Sequence, residues 1–215
     1  MPQTGLKRSG RTKTTSDRQA VIDPAAVAFD IDSVVADTMR LFVATVQGEF
    51  GLDHIAYEDI TSYNLLECLE IEAAVIDAVI DQILTGTHAL PLEPIAGAAE
   101  VLTRLGNRYQ PLVFISARPN LGGIDDWLKR HLPIAPEAIE TVATGSYEAK
   151  ADVLLNRNRT WFVEDRLETC FLLERAGITP VLFKQPWNRK KHPFIEVASW
   201  RELEDLIDYR KGAWQ

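Results

Sequence analysis

The chain has 215 residues, of which 46% are hydrophobic and 25% charged, and a formal net charge of −8. That is enough for one sizeable core, or a core with a small insert, in an ordinary globular composition. It excludes a membrane-spanning helix, because no apolar stretch is long enough, and the basic N-terminus lacks the apolar segment of a secretory signal. Cys68 and Cys170 are the two cysteines, too few for a disulfide framework or a zinc site. Both sit among apolar residues at helical spacing and read as buried thiols in a reducing compartment, so the expected localisation is cytoplasmic. Residues 1–24 hold five basic and two acidic side chains, which leaves −11 on the rest. A body this acidic is not a general nucleic-acid binder.

Residues 1–24 are polar and without periodicity, and are read as a disordered basic tail. "AVAFDI" (26–31) then reads as a buried strand. Residues 37–93 are mainly helical. Met39, Phe42, Val43, Val46 and Phe50 form one apolar stripe, and Ile71, Val75, Val79 and Ile83 form another. Gly51 and the polar "YEDITSYN" part the two stripes, and Asp37 is the expected N-cap of the first helix. This is too much chain for a simple crossover and is expected to be a helical subdomain inserted after the first strand. "LPLEP" (90–94) returns the chain to the core. From there strands and helices alternate. Ala98, Val101, Leu102 and Leu105 mark a helix, "PLVFIS" (111–116) a strand, and Ile124, Trp127 and Leu128 a helix. "IETVAT" (139–144) is a strand, followed by a helix from Lys150 through Val153 and Leu154. "TWFVED" (160–165) is a strand, and the next helix carries Leu167, Cys170 and Phe171 and stops at Gly177. "PVLFK" (180–184) is the last strand, and "SWRE" is a capping box with Ser199 at N-cap and Glu202 at N3, ahead of Leu203, Leu206 and Ile207. The alternation predicts an α/β fold with right-handed crossovers, its core formed by 25–36 and 94–215.

Ligands of an open α/β sheet collect at the carboxyl ends of its strands. The predicted strands deliver Asp30 and Asp32, then Ser116, then Lys150 beyond the third, then Glu164 and Asp165. Carboxylates two residues apart at a buried strand end repel each other, and a divalent cation relieves that repulsion. Oxygen ligands of this kind suit Mg²⁺. A hydroxyl and an ammonium suit a phosphate, so the expected partner is a small phosphorylated metabolite. Taken singly, Asp32 is also a turn cap, Lys150 a solvated helix residue and Ser116 a loop hydroxyl. His54, His88, His131 and His192 show no ligand spacing.

"DIDSVVADT", "FISARP", the isolated Lys150 and "FVEDR" resemble, in order and placement, motifs I to IV of the haloacid dehalogenase-like (HAD) superfamily. The resemblance spans the chain from about residue 25 onward. It implies a Rossmann-like parallel sheet flanked by helices, with 37–93 as a small helical cap. It also implies an Mg²⁺-dependent phosphatase working through an aspartyl-phosphate. Asp30 would be the nucleophile and Asp32 the general acid and base. The metal would be held by Asp30, the Asp32 carbonyl and Asp165, with Glu164 in support. Ser116, Ala117 and Lys150 would hold the phosphoryl group. Three departures stand out: Ser33 where many members carry Gly, Ser116 where Thr is commoner, and a Glu-Asp pair in place of Asp-Asp.

Within the superfamily, the small helical cap, "ARP", "EDR" and "QPWNR" look most like the cytosolic 5′-nucleotidase and deoxyribonucleotidase group. The expected substrate is therefore a nucleoside monophosphate, with Tyr63, Arg118 and Trp187 as candidate contacts and Phe42 and Phe50 as cap core. The alternatives are another small phosphate such as a sugar phosphate or phosphoglycolate, or a non-catalytic phospholigand-binding protein of the same fold. No interface signature is visible, and "PWNRKKHPF" reads as an exposed contact surface.

Overall fold

A computed structural model describes residues 21–211. Six strands form one parallel sheet in the order β3-β2-β1-β4-β5-β6. They are β1 (Val27–Phe29), β2 (Leu112–Ser116), β3 (Ile139–Ala143), β4 (Trp161–Glu164), β5 (Thr179–Phe183) and β6 (Ile195–Val197). The central strands are apolar at nearly every position because both faces are covered. Phe29, Phe114 and Val163 enter one apolar cluster, whereas their chain neighbours Ala28, Val113 and Phe162 enter another on the opposite face. Parallel strands need crossovers, and α3 (Ala98–Gly106), α4 (Ile124–His131), α5 (Ala149–Asn156), α6 (Leu167–Arg175) and α7 (Trp200–Glu204) flank the sheet. Gly177, expected to stop α6, sits just past it at φ 83°, a left-handed conformation that suits glycine.

Two helices, α1 (Thr38–Phe50) and α2 (Ala73–Thr85), lie between β1 and α3 with two short 3-10 turns, Tyr57–Asp59 and Leu65–Glu67. The chain leaves and re-enters the core along a two-stranded neck. Asp37 N–H donates to the Glu93 carbonyl at 2.8 Å, Ala36 bridges Pro94, and Ile95 N–H donates to the Val35 carbonyl at 2.8 Å.

Several expectations change. Phe50 is 38% exposed, because the α1 stripe has drifted off the core by its last turn and Gly51 ends the helix there. On α2 the buried face uses Ile76 in place of Val75. Asp37 sits at the N-cap but makes no capping bond; its carboxylate turns to Arg40 at 3.3 Å. Cys170 is buried, whereas Cys68 is partly exposed. β6 begins directly after the stretch read as an exposed surface, and that stretch itself holds the buried Trp187 and Asn188. Of the expected tail, residues 1–20 lie outside the described residues; Ile22 is buried and bridges Ile207 beside the end of α7. Among the described residues, no helix is long and apolar enough to cross a membrane.

Candidate active site

The strand order reverses beside β1, which pairs with β2 on one side and β4 on the other. Open α/β sheets bind ligands at such a point. The register sets the chemistry. Phe29 lies opposite Val163, so the residues that follow, Asp30 and Glu164, emerge side by side, with Asp165 next. Carboxylate oxygens of Asp30, Glu164 and Asp165 lie within 4.8 Å of one another, and all three residues are buried.

Lys150, the second residue of α5, reaches into this group with no solvent exposure. Its Nζ donates to Asp30 Oδ2 at 2.7 Å and Glu164 Oε2 at 2.8 Å. A solvated helix lysine is thereby excluded. Burial alone would lower its pKa, but the two carboxylates outweigh it and the ammonium is held charged. Glu164 is fixed further by the backbone N–H groups of Asp165 and Arg166, at 3.2 and 3.0 Å on Oε1. Its carboxyl stays below the usual range despite burial, because Lys150 supplies charge and a hydrogen bond. Asp30 and Asp165 go the other way. Burial, and then the neighbouring Glu164 charge, push both well up. Three acids face one ammonium, a deficit of positive charge that a divalent cation would fill. The residues thus fit a divalent metal, with an all-oxygen donor set.

Asp32 is placed differently. Its side chain is 25% exposed and points away from the trio, onto the Arg118 guanidinium. Arg118 donates from Nε to Oδ2 at 3.0 Å and from Nη2 to Oδ1 at 2.7 Å, a two-pronged grip. Thr38 donates to Oδ1 at 2.9 Å and Ser116 to Oδ2 at 3.1 Å. Burial opposes ionisation of Asp32, but Arg118 and these hydroxyls prevail and hold its pKa below the ordinary value. Arg118, expected as a substrate contact, is thus a buried partner of Asp32. Its Nη1 also donates to the Ile83 carbonyl on α2 at 3.4 Å. Ser33 takes φ 59°, the left-handed conformation that explains why glycine suits this position; its carbonyl accepts from Gln185 Nε2 at 2.7 Å.

A cavity of about 380 Å³ opens over Asp30, Asp32, Ser116, Ala117 and Arg118, roofed by Met39, Tyr63, Asn64, Ile80 and Leu84. Tyr63 lines it as expected. Its hydroxyl accepts from Tyr147 at 3.2 Å, and the Arg166 guanidinium lies 4.2 Å from the Tyr147 ring centroid and 5.2 Å from that of Tyr63. Trp187 does not line this cavity. It is buried behind Asp165, donating from Nε1 to Oδ2 at 2.9 Å. Sequence reasoning missed Tyr147, Arg166, Gln185 and Thr38. The one available signal was position: each lies within a few residues of a strand end or a motif residue.

Solved structures share this architecture. A candidate phosphoglycolate phosphatase from Lactobacillus delbrueckii subsp. bulgaricus matches at a TM-score of 0.58 with 14% identity, covering 86% of this chain and 99% of that one. CbbY from Rhodobacter sphaeroides in complex with phosphate matches at 0.52 with 13% identity, covering 83% and 96%. A mutant CbbY bound to xylulose-(1,5)bisphosphate matches at 0.51 with 14% identity, covering 85% and 99%. At these identities the likeness shows the fold. No curated protein matches the sequence. A family model does match, over residues 24–212, which takes in β1, the inserted helices and every strand that bears a site residue. The chain belongs to that family, described as 5′ nucleotidase, deoxy (pyrimidine), cytosolic type C protein, within the HAD-like hydrolases.

Proposed function

We propose that this phosphatase hydrolyses a nucleoside monophosphate with Mg²⁺, through an aspartyl-phosphate on Asp30. The observation that carries the reading is the buried trio of Asp30, Glu164 and Asp165 with Lys150 set between two of them. Asp30, the Asp32 carbonyl and Asp165 hold the cation. Glu164, with both oxygens already engaged, supports it from behind. When bound, the cation offsets negative charge on the Asp30 carboxylate and the phosphoryl oxygens. Ser116 Oγ, the Ala117 backbone and Lys150 Nζ hold the phosphoryl group in line with an Asp30 oxygen.

In the first step a new O–P bond forms to Asp30 and the ester P–O bond breaks; the leaving oxygen takes a proton from Asp32. In the second, Asp32 accepts a proton from water, whose oxygen displaces Asp30 from phosphorus. The Arg118 grip favours the ionised Asp32 of the second step. The first step therefore requires the grip to loosen as substrate arrives.

Residues 37–93 act as a cap over a core of 25–36 and 94–215. The cavity volume of about 380 Å³ suits a nucleotide-sized ligand, Tyr63 offers a ring face, and the family description supplies the substrate class. The cytoplasm is the proposed site of action, supported by two free cysteines. The second reading, a sugar phosphate or phosphoglycolate, is favoured by the described ligands and activity of the structural neighbours.

The test is hydrolysis of a panel of nucleoside monophosphates and sugar phosphates with Mg²⁺. Preference for a nucleotide supports the reading, and a flat response to every nucleotide with a clear preference elsewhere refutes it. Asp30→Asn retaining full activity would refute the nucleophile assignment.

A further inference from the structure

The turn Gln185–Asn188, beyond β5, touches three parts of the site at once. Trp187 Nε1 donates to Asp165 Oδ2 at 2.9 Å, and Asn188 Nδ2 donates to the Asp165 carbonyl at 2.7 Å. Both the side chain and the backbone of Asp165 are thus held from one turn. Gln185 Nε2 donates to the Ser33 carbonyl at 2.7 Å, one residue past Asp32. Gln185 Oε1 accepts from the Tyr57 hydroxyl of the inserted segment at 2.6 Å. The Tyr57 ring meets the Trp187 ring edge-on, centroids 5.9 Å apart at 69°. The turn is closed on itself: Gln185 N–H donates to Asn188 Oδ1 at 3.0 Å, and Asn188 also donates to the Phe183 carbonyl at 2.8 Å. It is buried except at Pro186, so its parts do not move independently.

We propose that Trp187 is a positioning residue for Asp165, and that seating of the inserted helical segment on Trp187 through Tyr57 is energetically coupled to divalent-cation binding. This rests on the reading of Asp165 as a metal ligand. A carboxylate with one oxygen fixed by an indole N–H presents its other oxygen in one direction, so its ligating geometry is set before the cation arrives. Tyr57 packs edge-on against the same indole and is bonded to the same turn through Gln185. A shift of the inserted segment therefore displaces Trp187 and disorients Asp165, and by linkage a bound cation holds the segment down.

The test is Mg²⁺ binding measured by calorimetry without substrate, on wild type, Trp187→Phe, Tyr57→Ala and the double variant. Trp187→Phe keeps an aromatic ring but loses the indole N–H together with some buried volume; it is expected to weaken Mg²⁺ by about tenfold or more, the usual effect of losing a ligand's hydrogen-bond partner. Tyr57→Ala is expected to weaken it in the same direction, and the double variant no further than Trp187→Phe alone. Tyr57 is only partly buried, so its variant tests the relay even where Trp187→Phe fails to fold. Wild-type affinity in either single variant overturns the inference while leaving the metal site standing. A wild type that binds no Mg²⁺ overturns both.

Discussion

Replacing Lys150 by methionine tests the electrostatics of the whole site. The ammonium lies 2.7 Å from Asp30 and 2.8 Å from Glu164, and its side chain has 0% exposure. At an effective dielectric of about 20, each contact is worth about 6 kcal/mol of attraction, set against several kcal/mol per ion for leaving water. Methionine fills most of the space, so the loss is one of charge and not of packing. Breaking a buried pair in this way costs about 3–5 kcal/mol. Asp30, already pushed well up by burial and Glu164, protonates more readily once the ammonium is gone, which places the expected cost at the lower end. Urea unfolding in EDTA reads this directly. With excess Mg²⁺ the cation takes over the missing charge, so it is expected to restore more stability to Lys150→Met than it adds to wild type; at about a hundredfold excess over Kd the wild-type gain is about 2.7 kcal/mol. With Mg²⁺ present, hydrolysis is expected to stay at least a hundredfold below wild type, because the phosphoryl group still lacks the Lys150 ammonium. A variant as stable as wild type in EDTA, or one that gains no more from Mg²⁺, would refute the counter-charge argument.

Three further outcomes follow from the geometry. Arg118→Met releases Asp32 from its two-pronged partner and removes the bond to Ile83. Asp32 then ionises less readily, so hydrolysis of the aspartyl-phosphate is expected to become limiting and kcat to fall about tenfold or more, with kcat/KM less affected, in steady-state assays of a variant that keeps its fold. Tyr63→Phe removes only the hydroxyl bonded to Tyr147, so it is expected to raise KM for a nucleotide a few-fold while leaving hydrolysis of a small aryl phosphate unchanged; equal effects on both would argue against contact with the leaving group. Cys170 is buried and burial pushes its thiol well up, which cuts its thiolate fraction, so an alkylating reagent at mildly alkaline pH is expected to label Cys68 and spare Cys170 until urea is added. Mass spectrometry of the labelled peptides decides that point.

The parallel strands were readable because both-sided burial writes a nearly continuous apolar run, and the four chemical groups were readable because strand ends are fixed once the runs are found. Asp30, Ser116, Lys150 and Asp165 do converge at the carboxyl edge of the sheet. What the runs could not convey was pairing across long separations. Arg118 and Asp32 stand 86 positions apart, and nothing local distinguishes an arginine that holds a carboxylate from one that meets substrate. Trp187 was misplaced for a related reason: a tryptophan in a polar stretch reads as exposed, whereas here its indole N–H satisfies a buried carboxylate. β6 escaped notice because a three-residue edge strand carries too little pattern to stand out from the polar chain before it.

The neck formed by Val35–Asp37 and Glu93–Ile95 has a mechanical consequence. Two chains bonded rung to rung make a ribbon, which bends readily across its face and resists shear along its length. The inserted helices therefore have one easy direction of swing, and the ribbon's root lies three residues from Asp32, whose Oδ1 accepts from Thr38 just above it. Lengthening one linker without the other would slip the rungs and turn Thr38 away from that carboxylate. Any exchange of this helical segment between related enzymes would have to cut both linkers at matching rungs.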